Sequence, residues 1–128
     1  MTTAFLDSSA TLFGEDKAPF LSARRVAEQL GVTMSELAAL TGVARNTLAA
    51  QAGGRKAGAR KADAALSPVV RILAMAGEMA GGNERAAIWF KHQPIPGWAG
   101  KTAYDLVGEG KADKVLAYLE AVRSGVYA

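Results

Sequence analysis

Apolar residues in this chain fall at helical spacing, in short runs that glycine or proline repeatedly cuts off. Ser22 is placed to cap a helix running to Leu30, with Val26, Ala27 and Leu30 on its inner face and Gly31 as its stop. Thr33 then caps a second helix, and Glu36 stands three residues later, the spacing of a capping box. Met34, Leu37, Ala38 and Leu40 form its apolar side, and Gly42 permits a left-handed turn. A third helix, about Ala44 to Ala52, is anchored by Leu48 and ends at Gly53-Gly54. Ser67 with Pro68 reads as the start of a long helix, since proline is tolerated in a first turn. Val69, Val70, Leu73, Met75, Ala76 and Met79 surround much of that helix, which points to burial, including burial against a second copy. Gly81-Gly82 stops it, and Asn83 reads as the cap of the next helix, which reaches Lys91 or His92 before Pro94 and Pro96 end it. A short helix at Thr102–Val107 and a last one at Lys111–Arg123 follow, the latter with Val115, Leu119 and Val122 on one stripe. No segment alternates as a strand would, and there is no internal repeat. The fold class is all-α.

At 128 residues the chain fits one domain, or two small helical units that share a core. Half of it is apolar but only 7% is aromatic, so the core is built mainly from alanine, leucine and valine. Such cores bury little area per helix, and a monomer of this kind gains stability from a partner or from dimerisation. There is no cysteine, which excludes disulfides and thiolate metal sites and is compatible with an intracellular location. The opening residues lack the basic and apolar regions of a signal peptide, and the apolar stretch Val69–Ala80, interrupted by Arg71 and Glu78, is too short for a membrane span. The net charge is only +3, yet Gln51–Ala62 carries Arg55, Lys56, Arg60 and Lys61 with no acid. Such a cluster suits phosphate contacts, or else a solvated linker.

Leu37-Ala-Ala-Leu-Thr-Gly-Val-Ala-Arg-Asn-Thr-Leu48 resembles the helix-turn-helix of Xre/Cro-type regulators. Ala38 is small where two helices approach, Gly42 takes the turn, and Leu37, Val43 and Leu48 pin the pair. A recognition helix needs exposed polar side chains near its start. Arg45, Asn46 and Thr47 stand there: arginine reads guanine or holds a phosphate, and asparagine reads adenine. Gln51, Arg55 and Lys56 complete the candidate DNA-binding set. Thr41 and Gln51 depart from the pattern, which has apolar residues at both places.

Trp89-Phe90, the stretch Pro94 to Gly100, Thr102-Ala-Tyr-Asp-Leu106, the helix Val115 to Arg123 and the closing Gly125-Val-Tyr-Ala resemble, in that order, the C-terminal toxin-binding domain of the Xre/MbcA/ParS antitoxins. Ala103, where proline is frequent, and Trp98, where a smaller residue is usual, depart from it. The resemblance divides the chain into an arm (1–19), a helix-turn-helix unit (20–54), a basic linker (55–66) and a toxin-binding domain (67–128). It implies an antitoxin of a type II system that neutralises a RES-domain, NAD-degrading toxin. It also implies repression of the shared operon through operator DNA, a homodimer, a cytoplasmic location and no membrane. The implied toxin-binding residues are Gly125, Val126, Tyr127 and Ala128, with Arg123 and Trp98. In that picture Tyr127 anchors, Val126 adds apolar contact, and a terminal carboxylate on Ala128 pairs with arginines of a pocket built for an anionic dinucleotide. The alternative is a stand-alone Xre-type regulator whose C-terminal half serves dimerisation.

No residue pattern asks for catalysis, a cofactor or a metal. His92 is the sole histidine, beside a helix-ending Gln-Pro, and nothing near it in sequence supplies partner roles. Gly53-Gly-Arg-Lys and Gly108-Glu-Gly-Lys lack both the preceding strand and the spacing of a phosphate loop. Trp89, Phe90 and Trp98 read as core or interface residues.

Overall fold

The computed structural model describes residues 22–52 and 56–125. The arm 1–19, Arg55, Val126, Tyr127 and Ala128 therefore lie outside the described residues, as do the side chains of Gln51 and Lys56. Among the described residues there are seven helices: α1 Ala23–Leu30, α2 Met34–Thr41, α3 Arg45–Ala52, α4 Lys56–Ala80, α5 Asn83–His92, α6 Ala103–Gly108 and α7 Ala112–Arg123. The all-α reading holds, with one isolated bridge, Pro94 to Thr102, as the only extended pairing among the described residues.

The first two helices begin and end as their sequences dictate. The Ser22 hydroxyl accepts from the Arg25 amide at 3.3 Å, and Gly31 closes α1 at φ +70°, donating to Ala27 and Glu28. Thr33 and Glu36 form the reciprocal box: Thr33 Oγ1 accepts from the Glu36 amide at 3.0 Å, and Glu36 Oε1 accepts from the Thr33 amide at 2.8 Å. Thr41 is accommodated at the end of α2 because its hydroxyl donates back to the Leu37 carbonyl at 2.9 Å. A β-carbon on Gly31 would meet both an unfavourable φ and Lys91 Nζ at 3.1 Å. Gly31→Ala is therefore expected to cost about 1 kcal/mol or more in urea unfolding; an unchanged midpoint would contradict this.

Two starts differ from expectation. The segment 55–66, read as a linker, is helical from Lys56, and Ser67 caps nothing: Pro68 lies inside α4. The reason is a buried stripe, Ala62, Leu66, Val69, Leu73 and Ala76, that runs through Pro68 without a break in period. Alanines at 57, 59, 62, 64 and 65 favour the helix, and packing along the stripe offsets the hydrogen bond that Pro68 cannot donate. Pro68→Ala should consequently stabilise the fold by about 1–3 kcal/mol, while Ser67→Ala leaves it unchanged. A helix starting at Ser67 would give the reverse pattern in thermal unfolding, with loss of the cap costing about 1 kcal/mol.

The second difference is at α5, where Gly82 and not Asn83 is the cap, with no side-chain hydrogen bond. Gly81 and Gly82 both donate to the Gly77 carbonyl, and Gly82 then adopts φ +147°, a conformation that feeds the chain into α5 one residue early. This break turns the chain by 113° between α4 and α5.

Helix α4 is the spine, packing against α1, α3, α5 and α7. Its apolar girth is taken up largely by those helices of the same chain, although Met79 stays 40% exposed. Contacts of α1 with α5 and of α2 with α6 join the helix-turn-helix half to the C-terminal half. One cluster of buried side chains runs from Ala23 to Leu119, so the two halves share a core. Phe90 belongs to it, fully buried, with its ring edge-to-face to Tyr104 at 6.1 Å and 84°. No single described helix is long and apolar enough to cross a membrane.

Candidate toxin-binding and DNA-facing surfaces

The start of α3 presents Arg45 and Asn46 to solvent, as a recognition helix requires, while Thr47 is half-buried and donates its amide to the Ala44 carbonyl at 2.9 Å. Gly42, at φ +74°, turns the chain between α2 and α3. Leu37 and Leu48 are fully buried where the two helices meet. Helix α3 packs on α4, whose first turns carry the exposed Arg60 and Lys61. Cations at the positive end of a 25-residue helix, with no acid in its first turn, are an arrangement that its dipole disfavours.

The loop from Gln93 to Lys101 is closed by its own backbone. Ile95 donates to the Lys101 carbonyl at 2.8 Å, Trp98 to Ile95 at 3.3 Å, and Lys101 to Trp98 at 3.0 Å. The buried Ile95 side chain pins the loop from below, and Ala99 takes a left-handed φ of 54° to complete it. Trp98 is thereby held half-buried, with Lys111 Nζ 5.6 Å from its ring centroid. Glu109 lies between Lys101, at 2.8 Å, and Lys111, at 3.3 Å. Hydrogen bonds from Lys101 first, and then from Lys111, hold its carboxyl below the ordinary value. The depressed carboxyl stabilises the fold above its unfolded value, and that contribution is lost as pH falls through the lowered one. Its exposed position keeps it small.

Thr102 opens α6 with a second capping box, its hydroxyl accepting from the Asp105 amide at 3.2 Å and its amide donating to Asp105 Oδ2 at 3.0 Å. Thr102 thus does by hydrogen bonding what a following proline would do by ring geometry, and Ala103 instead goes into the core. Beside it, Tyr104 is raised above 10.0 by burial and by the charge of Glu36 on α2. The raised phenol stabilises the fold fully below the ordinary tyrosine value, and that contribution is lost as pH rises through its own. Tyr104→Phe should flatten this alkaline loss in a pH series of thermal melts; an unchanged slope would remove Tyr104 as its source.

Arg123, exposed in the last turn of α7, pairs with the Glu120 carboxylate one turn earlier. Ser124 then donates to the Glu120 carbonyl, and Gly125, exposed at φ +83°, donates to Val122. The expected toxin-binding set is thus split by α7. Arg123 and Gly125 stand at one end of this 12-residue helix. Trp98 stands over Lys111 at the other, about 18 Å away by helical rise.

One further surface lies on α5. The adjacent aromatics of α5 part company: Phe90 is fully buried, whereas Trp89 is only partly so, and Ile88 is 56% exposed. Arg85, Ile88, Trp89 and His92 form an outward stripe with open grooves on either side. Its signal was already in the sequence, because positions 85, 88, 89 and 92 are helical neighbours. Among the described residues no group of three or more His, Asp or Glu is placed to hold a metal ion.

Residues 75–125 match the family of the antitoxin Xre/MbcA/ParS C-terminal toxin-binding domain. The match covers 51 of the 128 residues, about two fifths of the chain. The match runs from the last six residues of α4 to the glycine after α7, and so takes in the Trp98 loop, the Thr102–Asp105 capping box and the α5 stripe. It assigns the chain an antitoxin role with a toxin as its partner, which is a binding function. No curated protein matches the chain, and no solved structure does.

Proposed function

We propose that this protein neutralises a RES-domain, NAD-degrading toxin and represses its own operon as a cytoplasmic homodimer. The observation that carries the first part is the family match ending at Gly125, where α7 delivers the chain to the candidate tail Gly125–Ala128. Gly125 takes a φ that lets the chain leave the helix axis, and Arg123 beside it supplies a cation at the point of departure. The tail enters or covers the toxin's substrate entrance. Co-expression tests this: the full chain restores growth to cells producing the RES toxin encoded next to it. Failure to restore growth, with both proteins present and folded, overturns the reading and leaves a stand-alone regulator.

DNA binding rests on the exposed Arg45 and Asn46 at the start of α3 and on the cations at the start of α4. The double variant Arg45→Ala/Asn46→Ala should weaken operator binding by about 1–3 kcal/mol per lost base contact, in a gel shift at fixed salt. Arg60→Ala should weaken binding to all sequences alike and reduce the salt slope by about 1. No operator binding at low salt, by the chain or by its toxin complex, sinks the repressor part and leaves the antitoxin part standing.

A further inference from the structure

Helix α4 keeps one face uncovered. Its buried residues turn toward α1, α3, α5 and α7, whereas Arg71, Glu78 and Met79 stand exposed on the other side with Ala74 and Met75 half-buried between them. Arg71 and Glu78 are one heptad apart, the spacing of a helix that lies along another helix. That is two turns, about 10.5 Å along the axis, beyond the i, i+4 reach within one helix. Neither residue has an ion-pair partner among the described residues. The face thus offers one unpaired cation, one unpaired anion and exposed methionine.

A second copy of the same face answers all three. Laid antiparallel about a twofold axis between Ala74 and Met75, it brings Arg71 opposite the partner's Glu78, and Glu78 opposite the partner's Arg71. A parallel pair sets Arg71 on Arg71. An antiparallel pair centred on either charged residue also sets like charges together, so charge selects one register. At the centre of that register, Ala74 lets the two backbones approach, and the flexible Met75 and Met79 fill the seam. Ser67 and Pro68 fall opposite the partner's Gly82 and Gly81, where no side chain stands in the way. The helical overlap, residues 69–80 of each copy, is about 18 Å long. A contact of that length buries less than the ~1,200 Å² of a standard stable interface, so the pair forms reversibly. It sets Arg60 of the two copies about 40 Å apart along the pair, on the order of the ~34–36 Å between half-sites one duplex turn apart.

We propose that the Arg71–Met79 face of α4 is the homodimer interface, an antiparallel twofold pairing held by two reciprocal Arg71–Glu78 ion pairs around Ala74 and Met75. The proposal rests on the homodimer of the proposed function and names its surface.

Sedimentation equilibrium of the full chain, without toxin or DNA, reads the dimer and its dissociation on dilution. Arg71→Glu and Glu78→Arg each weaken association at least tenfold, with the far-ultraviolet circular dichroism unchanged. Mixed one to one, the two variants recover the dimer, because the mixture restores opposite charges at both ends of the seam. General destabilisation does not produce that recovery. The chain has no cysteine, so single cysteines report proximity directly. Ala74→Cys is joined to its mate by a short bis-maleimide, and Ile88→Cys on α5 is not. A dimer that persists unchanged in both charge variants, or a mixture no better than either alone, overturns the interface and leaves the homodimer standing. Cross-linking through Ile88→Cys in place of Ala74→Cys assigns the dimer to the α5 stripe and also overturns it. A wild-type chain that stays monomeric at every concentration overturns the homodimer and the interface together, and leaves the face to the toxin or to the chain's own first residues.

Discussion

Phe90→Ala is expected to lower stability by about 3–5 kcal/mol, enough to leave little of a fold whose total is on the order of 5–15 kcal/mol. Phe90 is the largest fully buried side chain among the described residues and contributes the ring that meets Tyr104 edge-on. It joins α5 to α6, and α6 is the helix on which α2 rests. The cavity left by alanine therefore lies where α5 meets α6, in a core of small side chains that have little length with which to collapse into it. The adjacent Trp89→Ala removes a larger side chain from a half-exposed position, and should cost well under half as much. Urea unfolding followed by circular dichroism measures both. Equal costs at the two positions would mean that the assignment of inside and outside on α5 is wrong. In cells the Phe90 variant should lose neutralisation through loss of folded protein.

The contrast between these neighbours shows what was legible in the sequence. Wherever a side chain competes locally for the backbone, the reading was secure. Ser22, and Thr33 with Glu36, satisfy helix-end amides within three residues of themselves, so their geometry follows from spacing alone. Gly31 and Gly42 end helices for the same local reason. Ser67-Pro68 carries the same kind of signal and misleads, because a stripe from Ala62 to Ala76 overrides it. That override is tertiary: Ala62 and Leu66 become a helix face only because α4 has neighbours to pack against. The period was visible, but alanine is too weakly apolar for its placement to be decisive before the partners are known. Asn83 misleads for a related reason, since Gly81 and Gly82 close on Gly77 and deliver the chain to α5 without needing a cap.

The candidate site divides in the same way. Arg45 and Asn46 are exposed at a helix start because the turn before them is locally encoded. The separation of Trp98 from Arg123 was not legible, because it depends on the tertiary placement of Trp98 beside Lys111 at the start of α7. The α5 stripe was visible in the spacing of residues 85, 88, 89 and 92. On a helix, adjacent residues point about 100° apart, so one of Trp89 and Phe90 was bound to face away from the core.

Removing Gly125–Ala128 is expected to abolish neutralisation while leaving the fold in place. The last buried residue of α7 is Leu119, and α7 is completed by Ser124, which donates to the Glu120 carbonyl. None of the described core lies beyond that point, so the truncated chain should unfold within about 0.5 kcal/mol of the full one. The antitoxin role requires contact with the toxin, and an aromatic beside an apolar residue, as in Val126-Tyr127, is a suitable anchor. Tyr127→Ala alone should then cost about 2 kcal/mol or more of toxin affinity, roughly thirtyfold. Trp98→Ala, at the far end of α7, tests whether the toxin reaches along the helix. A tail that acts alone leaves binding of that variant unchanged, and a footprint that includes Trp98 weakens it. Rescue of growth by the truncated chain would place inhibition on the surface of the domain and dismiss the tail as its agent. Isothermal titration of the four chains against the toxin, with thermal melts of each, separates these outcomes from loss of folding.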